Sequence, residues 1–129
     1  MKILGLTGVY HADGGLRGEL AYALGRLRGT AHCGLCDITH RGIARKREWD
    51  RLRDRLGVPV ELVHLNERSE ETERATAGRT PCILARTDGG YVLLLGPAEL
   101  DAAGGDVAAF AAALHAAADA AGLEWPSSG

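Results

Sequence analysis

The sequence predicts an α/β sandwich, a mixed four-stranded sheet with helices on both faces. Three observations carry this. Residues 2–10 (KILGLTGVY) and 58–65 (VPVELVHL) are apolar runs with no helical period, and read as buried strands. Residues 15–29, 45–57 and 107–118 repeat apolar side chains at helical spacing. Residues 78–96 (GRTPCILARTDGGYVLLLG) divide at Thr87-Asp88-Gly89-Gly90 into two strands of an antiparallel hairpin.

The elements follow in order. The first strand meets a turn signal, HADGG, at residues 11–15. Leu16, Leu20, Ala23, Leu24 and Leu27 then form the apolar stripe of a helix ending near Gly29. After a cysteine-bearing segment, Trp49, Leu52 and Leu56 mark a second helix, with Gly57 where a C-terminal cap belongs. In the strand at 58–65, Pro59 stands near the start, where a missing N–H costs least. Residues 67–77 (ERSEETERATA) are polar and read as a short exposed helix. Beyond the hairpin, Val107, Phe110, Ala111, Leu114 and Ala118 mark a final Ala-rich helix, and the tail WPSSG is expected to fray. Repeats and linkers are absent from the sequence, so residues 1–129 read as one domain.

Composition narrows the function classes. A net charge of −2 gives no electrostatic case for a nucleic-acid partner. No apolar run approaches the roughly 20 residues that span a bilayer. The N-terminal run, broken by Gly5 and Gly8, reads as a strand and not as a leader, which points to the cytoplasm. Richness in Ala, Gly and Arg, with Lys2 and Lys46 the only lysines, suggests a high-GC bacterial source. Three cysteines are too few for a disulfide scaffold. In a reducing compartment, a Cys-x-x-Cys pair is more often a metal-ligand set or a working redox centre.

The element order resembles the thioredoxin-like superfamily. Residues 78–84 (GRTPCIL) resemble that superfamily's loop in which a cis-proline precedes the third strand, and the resemblance makes Pro81 that proline. Residues 9–16 (VYHADGGL) resemble the Val-Tyr-Asp-Gly-x-Cys-x-x-Cys opening of the DCC-type thiol-disulfide oxidoreductases. The resemblance covers most of the chain and implies a thioredoxin-like sandwich, with residues 30–57 as an insertion carrying a Cys/His segment and a helix. Where those proteins carry their dithiol, this chain has Asp13-Gly14-Gly15-Leu16. The family's redox chemistry is therefore not transferred to Cys33 and Cys36 by position.

Topology says where the insertion goes. If the first strand runs up, a helix of about 14 residues carries the chain about 20 Å back down. The helix at 45–57 must also run down, so that residue 58 starts a second upward strand. The segment between them has to climb, and its later part is expected near the top. There His40 would approach His11, Asp13 and the Thr80-Pro81 loop.

The chemistry concentrates in residues 31–40, AHCGLCDITH. Cys33, Cys36 and His40 form Cys-x2-Cys-x3-His, three donors suited to zinc, with copper or iron as alternatives. His32 is the nearest fourth donor, and His11 from the first loop is the other. With no second Cys-x-x-Cys in the chain, an ordinary Cys₄ site within one chain is excluded. An open fourth position would suit catalysis on a small-molecule substrate or metal handling, with Asp37 or Asp13 as outer-sphere or base groups. The rival reading is a thiol-disulfide oxidoreductase in which Cys33 attacks and Cys36 resolves, with His32 and Arg41 lowering the thiol pKa. A third reading is a metal-free module whose insertion docks a protein partner.

Other features carry less. Cys82, next to Pro81, reads as a buried structural thiol, with a substrate-contacting role as the alternative. His64 and His115 read as packing or surface residues. Asp13-Gly14-Gly15 serves equally as a helix cap or an anion cradle. The run RGIARKREWDRLRDRLG interleaves Arg with Glu48, Asp50 and Asp54, the pattern of a solvated helix face. Neither a P-loop nor a GxGxxG motif is present.

Overall fold

The computed structural model describes residues 1–11, 34–41 and 44–126, with the backbone alone at Gly34, Asp37, His40, Arg41, Ala44 and Arg45. The helix expected over residues 15–29 lies outside the described residues. The sheet contains β1 (Gly5–Val9), β4 (Val60–Val63), β5 (Cys82–Thr87) and β6 (Gly90–Leu95) in the order β4-β1-β5-β6. β1 and β4 are parallel, whereas β5 runs antiparallel to both β1 and β6. A two-residue ribbon pairs β2 (His40–Arg41) with β3 (Ala44–Arg45). This is the mixed four-stranded α/β sheet that the sequence predicts.

Register assigns the two faces, because alternate residues of a strand point to opposite sides. Leu6 and Gly8 share a face with Val60, Leu62, Ile83, Ala85 and Val92. Against that face pack α1 (Gly34–Thr39), α2 (Arg47–Leu56), α4 (Pro97–Ala102) and α5 (Val107–Ala120), which supply Leu35, Ile38, Trp49, Leu52, Leu100, Phe110 and Leu114 to one core. The Trp49 and Phe110 rings meet at 5.7 Å between centroids and fix α2 against α5. Among the described residues the buried Trp49 indole N–H meets no hydrogen-bond partner, and Trp49 contributes through packing. Gly8 permits a close approach: a Cβ there would lie 2.8 Å from a Leu62 methyl and 3.2 Å from methyls of Ile83 and Leu35.

The second face carries Thr7, Val9, Cys82 and Leu84, all buried. Toward it lies α3 (Glu70–Thr76), whose Thr72 hydroxyl is 3.4 Å from the Tyr91 hydroxyl. Helices therefore occupy both faces.

The helix ends follow local chemistry. Gly57 closes α2 in the left-handed region at φ 73°, as its position predicts. Ser69 caps α3 by accepting from the Thr72 N–H, and Asp106 caps α5 by accepting from Ala108 and Ala109.

Three local expectations need correction, and one helix forms where the sequence pattern predicts none. The second strand stops at Val63, because His64 and Glu67 bond to each other and turn residues 65–67 into a 3-10 helix. The helix near residues 67–77 is not wholly exposed: Thr72 and Thr76 are buried, and the Thr76 hydroxyl donates to the Thr72 carbonyl at 2.7 Å. Pro97–Ala102, which carries no apolar stripe, is helical through a proline in its first turn and one buried anchor, Leu100. Trp125 does not fray; it packs against the core beside the His115 ring, and Glu124 exchanges backbone hydrogen bonds with Met1 and Ile3.

Candidate functional site

Two antiparallel steps separate β1 from β6, so β6 ends at the same sheet edge as β1 and β4. In open α/β sheets, the carboxyl ends of parallel strands are where ligands collect. At this edge β1 delivers Tyr10 and His11, and β4 delivers His64.

Residues 35–39 reach this edge. Leu35 of α1 lies over Gly8, near the end of β1, and α1 packs on α4. At the end of α1, the Thr39 hydroxyl is hydrogen-bonded to the Tyr10 hydroxyl at 2.9 Å, with both residues buried. The Lys46 N–H donates to the Thr39 carbonyl, folding the β2–β3 ribbon back onto α1. From there α2 descends, and its Arg53 guanidinium donates to the Val60 carbonyl at the start of β4.

Cys36 stands in the first turn of α1, half-buried against the core as a thiol. Asp37 follows it on α1, and His40 opens β2 opposite Arg45. The helix ends at Thr39, so the helical turn that the sequence allows between Cys36 and His40 is not continued through His40. Asp13, His32 and Cys33 lie outside the described residues. Among the described residues, no three His, Cys, Asp or Glu side chains converge as metal donors.

Across the edge, the loop before β5 meets β1. The Thr80–Pro81 peptide is cis, and the Thr80 hydroxyl is hydrogen-bonded to His11 Nδ1 at 2.9 Å. Cys82, next in sequence, is fully buried. Burial pushes its thiol up to about 11, against the opposing pull of the Arg68 and Arg79 charges. At neutral pH it is a protonated, structural thiol.

Two residues at this edge carry chemistry that their sequence context did not advertise. The His64 ring lies 5.0 Å from the Tyr10 ring, and its Nδ1 is 2.7 Å from Glu67 Oε1. The same carboxylate oxygen accepts from the His64 backbone N–H at 2.8 Å. These bonds, the backbone one first, hold the Glu67 carboxyl below the usual carboxylate range. His64-x-x-Glu67 at the end of an apolar run has the spacing of a capping box, which was the available signal. The Tyr10–Thr39 contact joins residues 29 apart and has no local signal.

A groove of about 460 Å³ runs between α2 and α5 and is lined by Lys46, Arg51, Arg55 and Asp106 among others. Lys46 Nζ donates across it to the Gly105 carbonyl. None of Cys36, His11, His64 and Glu67 lines this groove.

No family model, curated protein or solved structure matches this chain. Its function must be argued from the edge just described. Among the described residues, no helix is long and apolar enough to cross a membrane.

Proposed function

We propose that this chain is a thioredoxin-like α/β protein of the reducing cytoplasm that binds a transition metal, zinc first, through Cys33, Cys36 and His40. The observation that carries the reading is the Tyr10–Thr39 hydrogen bond, which fastens the Cys/His segment to the ligand-collecting edge of the sheet. The sheet order β4-β1-β5-β6, with a cis-proline ahead of β5, supports the thioredoxin-like assignment. The donor types fit a borderline-soft ion: Cys36 is a half-buried thiol on α1, and His40 is the first residue after that helix. When bound, such an ion would polarise a bound water or substrate, or be passed to a partner. The chain's own contribution is to hold its donors against β1. His32 and His11 are the fourth donors nearest in sequence and at the edge.

A specific observation favours a second reading. Gly34, the residue after Cys33, opens α1, so the Cys-x-x-Cys spacing brackets a first helical turn. A dithiol there would pass two electrons to a substrate disulfide, with loss of two protons, and form a Cys33–Cys36 disulfide.

Metal analysis of protein purified under reducing conditions, beside Cys33→Ser, Cys36→Ser and His40→Ala, separates the two. One equivalent of metal in the wild type, lost in the variants, supports the first reading. Substoichiometric metal unaffected by the substitutions removes it. The dithiol reading then requires a disulfide that cycles with a physiological reductant. Failing both, an interaction module remains.

A further inference from the structure

We propose that the groove between α2 and α5 binds a small phosphate-bearing molecule, with Arg51 and Arg55 holding its dianion. The proposal does not rest on the metal reading, since neither Cys36 nor any described histidine lines the groove.

The spacing of charges along α2 favours ion pairs within the helix, and the fold uses its arginines differently. Glu48 and Asp54 stand three residues to either side of Arg51. Among the described residues, however, neither Arg51 nor Arg55 forms an ion pair or a hydrogen bond. On the same helix, Arg53 is occupied by the Val60 carbonyl. Arg51 and Arg55 line the groove instead. At four-residue spacing their Cβ atoms lie about 6 Å apart, where two like charges destabilise a helix. An anion between them turns that repulsion into attraction.

The opposite wall adds charge of the same sign. It is formed by the first turn of α5, the positive end of that helix's dipole. Asp106 is committed there to capping, accepting from the Ala108 N–H at 2.9 Å and from the Ala109 N–H at 3.4 Å. Lys46 Nζ donates to the Gly105 carbonyl, which keeps its ammonium at the groove. Ala108 and Ala111 present only methyl groups along α5, so the wall leaves a space of about 460 Å³. That volume lies within the size range of small-molecule sites.

Guanidinium N–H groups match phosphate oxygens in pairs, so two arginines one turn apart suit a single phosphate dianion. The Glu48 and Asp106 carboxylates also line the groove. They would repel the successive charges of an acidic peptide or a nucleic-acid strand laid along it. A compact dianion meets the arginines without that repeated cost.

Calorimetric titration of the full chain with glucose 6-phosphate, inorganic phosphate and glucose at moderate ionic strength tests the proposal. Wild type, Arg51→Gln, Arg55→Gln, Ala108→Leu and Arg47→Gln are compared, with circular dichroism confirming that each is folded. Arg47 is exposed and outside the groove, and controls for the loss of one positive charge. The wild type should bind glucose 6-phosphate or inorganic phosphate saturably at one site, the tighter of the two distinguishing an ester from free phosphate. Glucose should not bind. Arg51→Gln and Arg55→Gln should each weaken binding about 10-fold. Ala108→Leu, which fills the groove and keeps every charge, should weaken it comparably. Arg47→Gln should stay within about 2-fold of the wild type, because an exposed charge outside the groove is screened. No saturable binding of either phosphate compound overturns the proposal. So does binding that survives in both Arg51→Gln and Arg55→Gln, or that falls equally in Arg47→Gln.

Discussion

The Tyr10 hydroxyl is 2.9 Å from the Thr39 hydroxyl, and this buried contact joins the end of the first strand to the segment that carries the conspicuous thiols. Around it the sheet edge gathers His11, His64, Glu67 and the Thr80–Pro81 loop.

That contact should be measurable as a coupling. Tyr10→Phe and Thr39→Val remove its two ends, and a double-mutant cycle in urea should give a coupling energy of about 1 kcal/mol. Each single variant should also weaken metal binding, because the donors would lose their anchor. Strictly additive effects on stability would show that the contact is absent in solution.

Gly8 gives a second check on the docking of α1. In Gly8→Ala the new methyl would press on Leu62, Ile83 and Leu35. Overpacking of this kind costs about 1–3 kcal/mol. Equilibrium denaturation measures it, and an unchanged midpoint would mean that Leu35 does not lie over β1.

Cys82 predicts a pH dependence. Its folded pKa is raised from 9.0 to about 11 by burial. Below pH 9 the thiol is protonated whether folded or unfolded, and the contribution to stability is fully present. Between pH 9 and 11 the unfolded chain releases the proton while the folded chain keeps it, so stability falls by about 2–3 kcal/mol. Cys82→Ala should flatten that fall. In the folded wild type, iodoacetamide at pH 8 should label Cys36 well before Cys82, as peptide mass spectrometry would report. Rapid labelling of Cys82 would contradict its burial.

Much of the fold could be read from period and punctuation. Trp49, Leu52 and Leu56 with Gly57 described α2 closely, and Thr87-Asp88-Gly89-Gly90 marked the hairpin. The missed element, α4, is short and held by one anchor, Leu100, and the exposure of α3 was misjudged at Thr72 and Thr76. Burial of a threonine on a polar helix leaves no periodic trace, because the decisive partner, Tyr91, arrives from a distant strand. At the candidate site, Cys36, His40 and His11 were legible as residue types at suggestive spacing. The His64–Glu67 pair was not, because it looked like the end of a strand. Its contact with the Tyr10 ring is supplied only by the folded sheet.

The central claim is that the inserted segment binds a metal, and zinc K-edge X-ray absorption on the purified full chain tests it most directly. The account predicts one zinc per chain with a first shell of two sulfurs at about 2.3 Å and two imidazole nitrogens at about 2.0 Å. A shell of oxygen and nitrogen alone, or protein that holds no zinc after reducing purification in its presence, would contradict it.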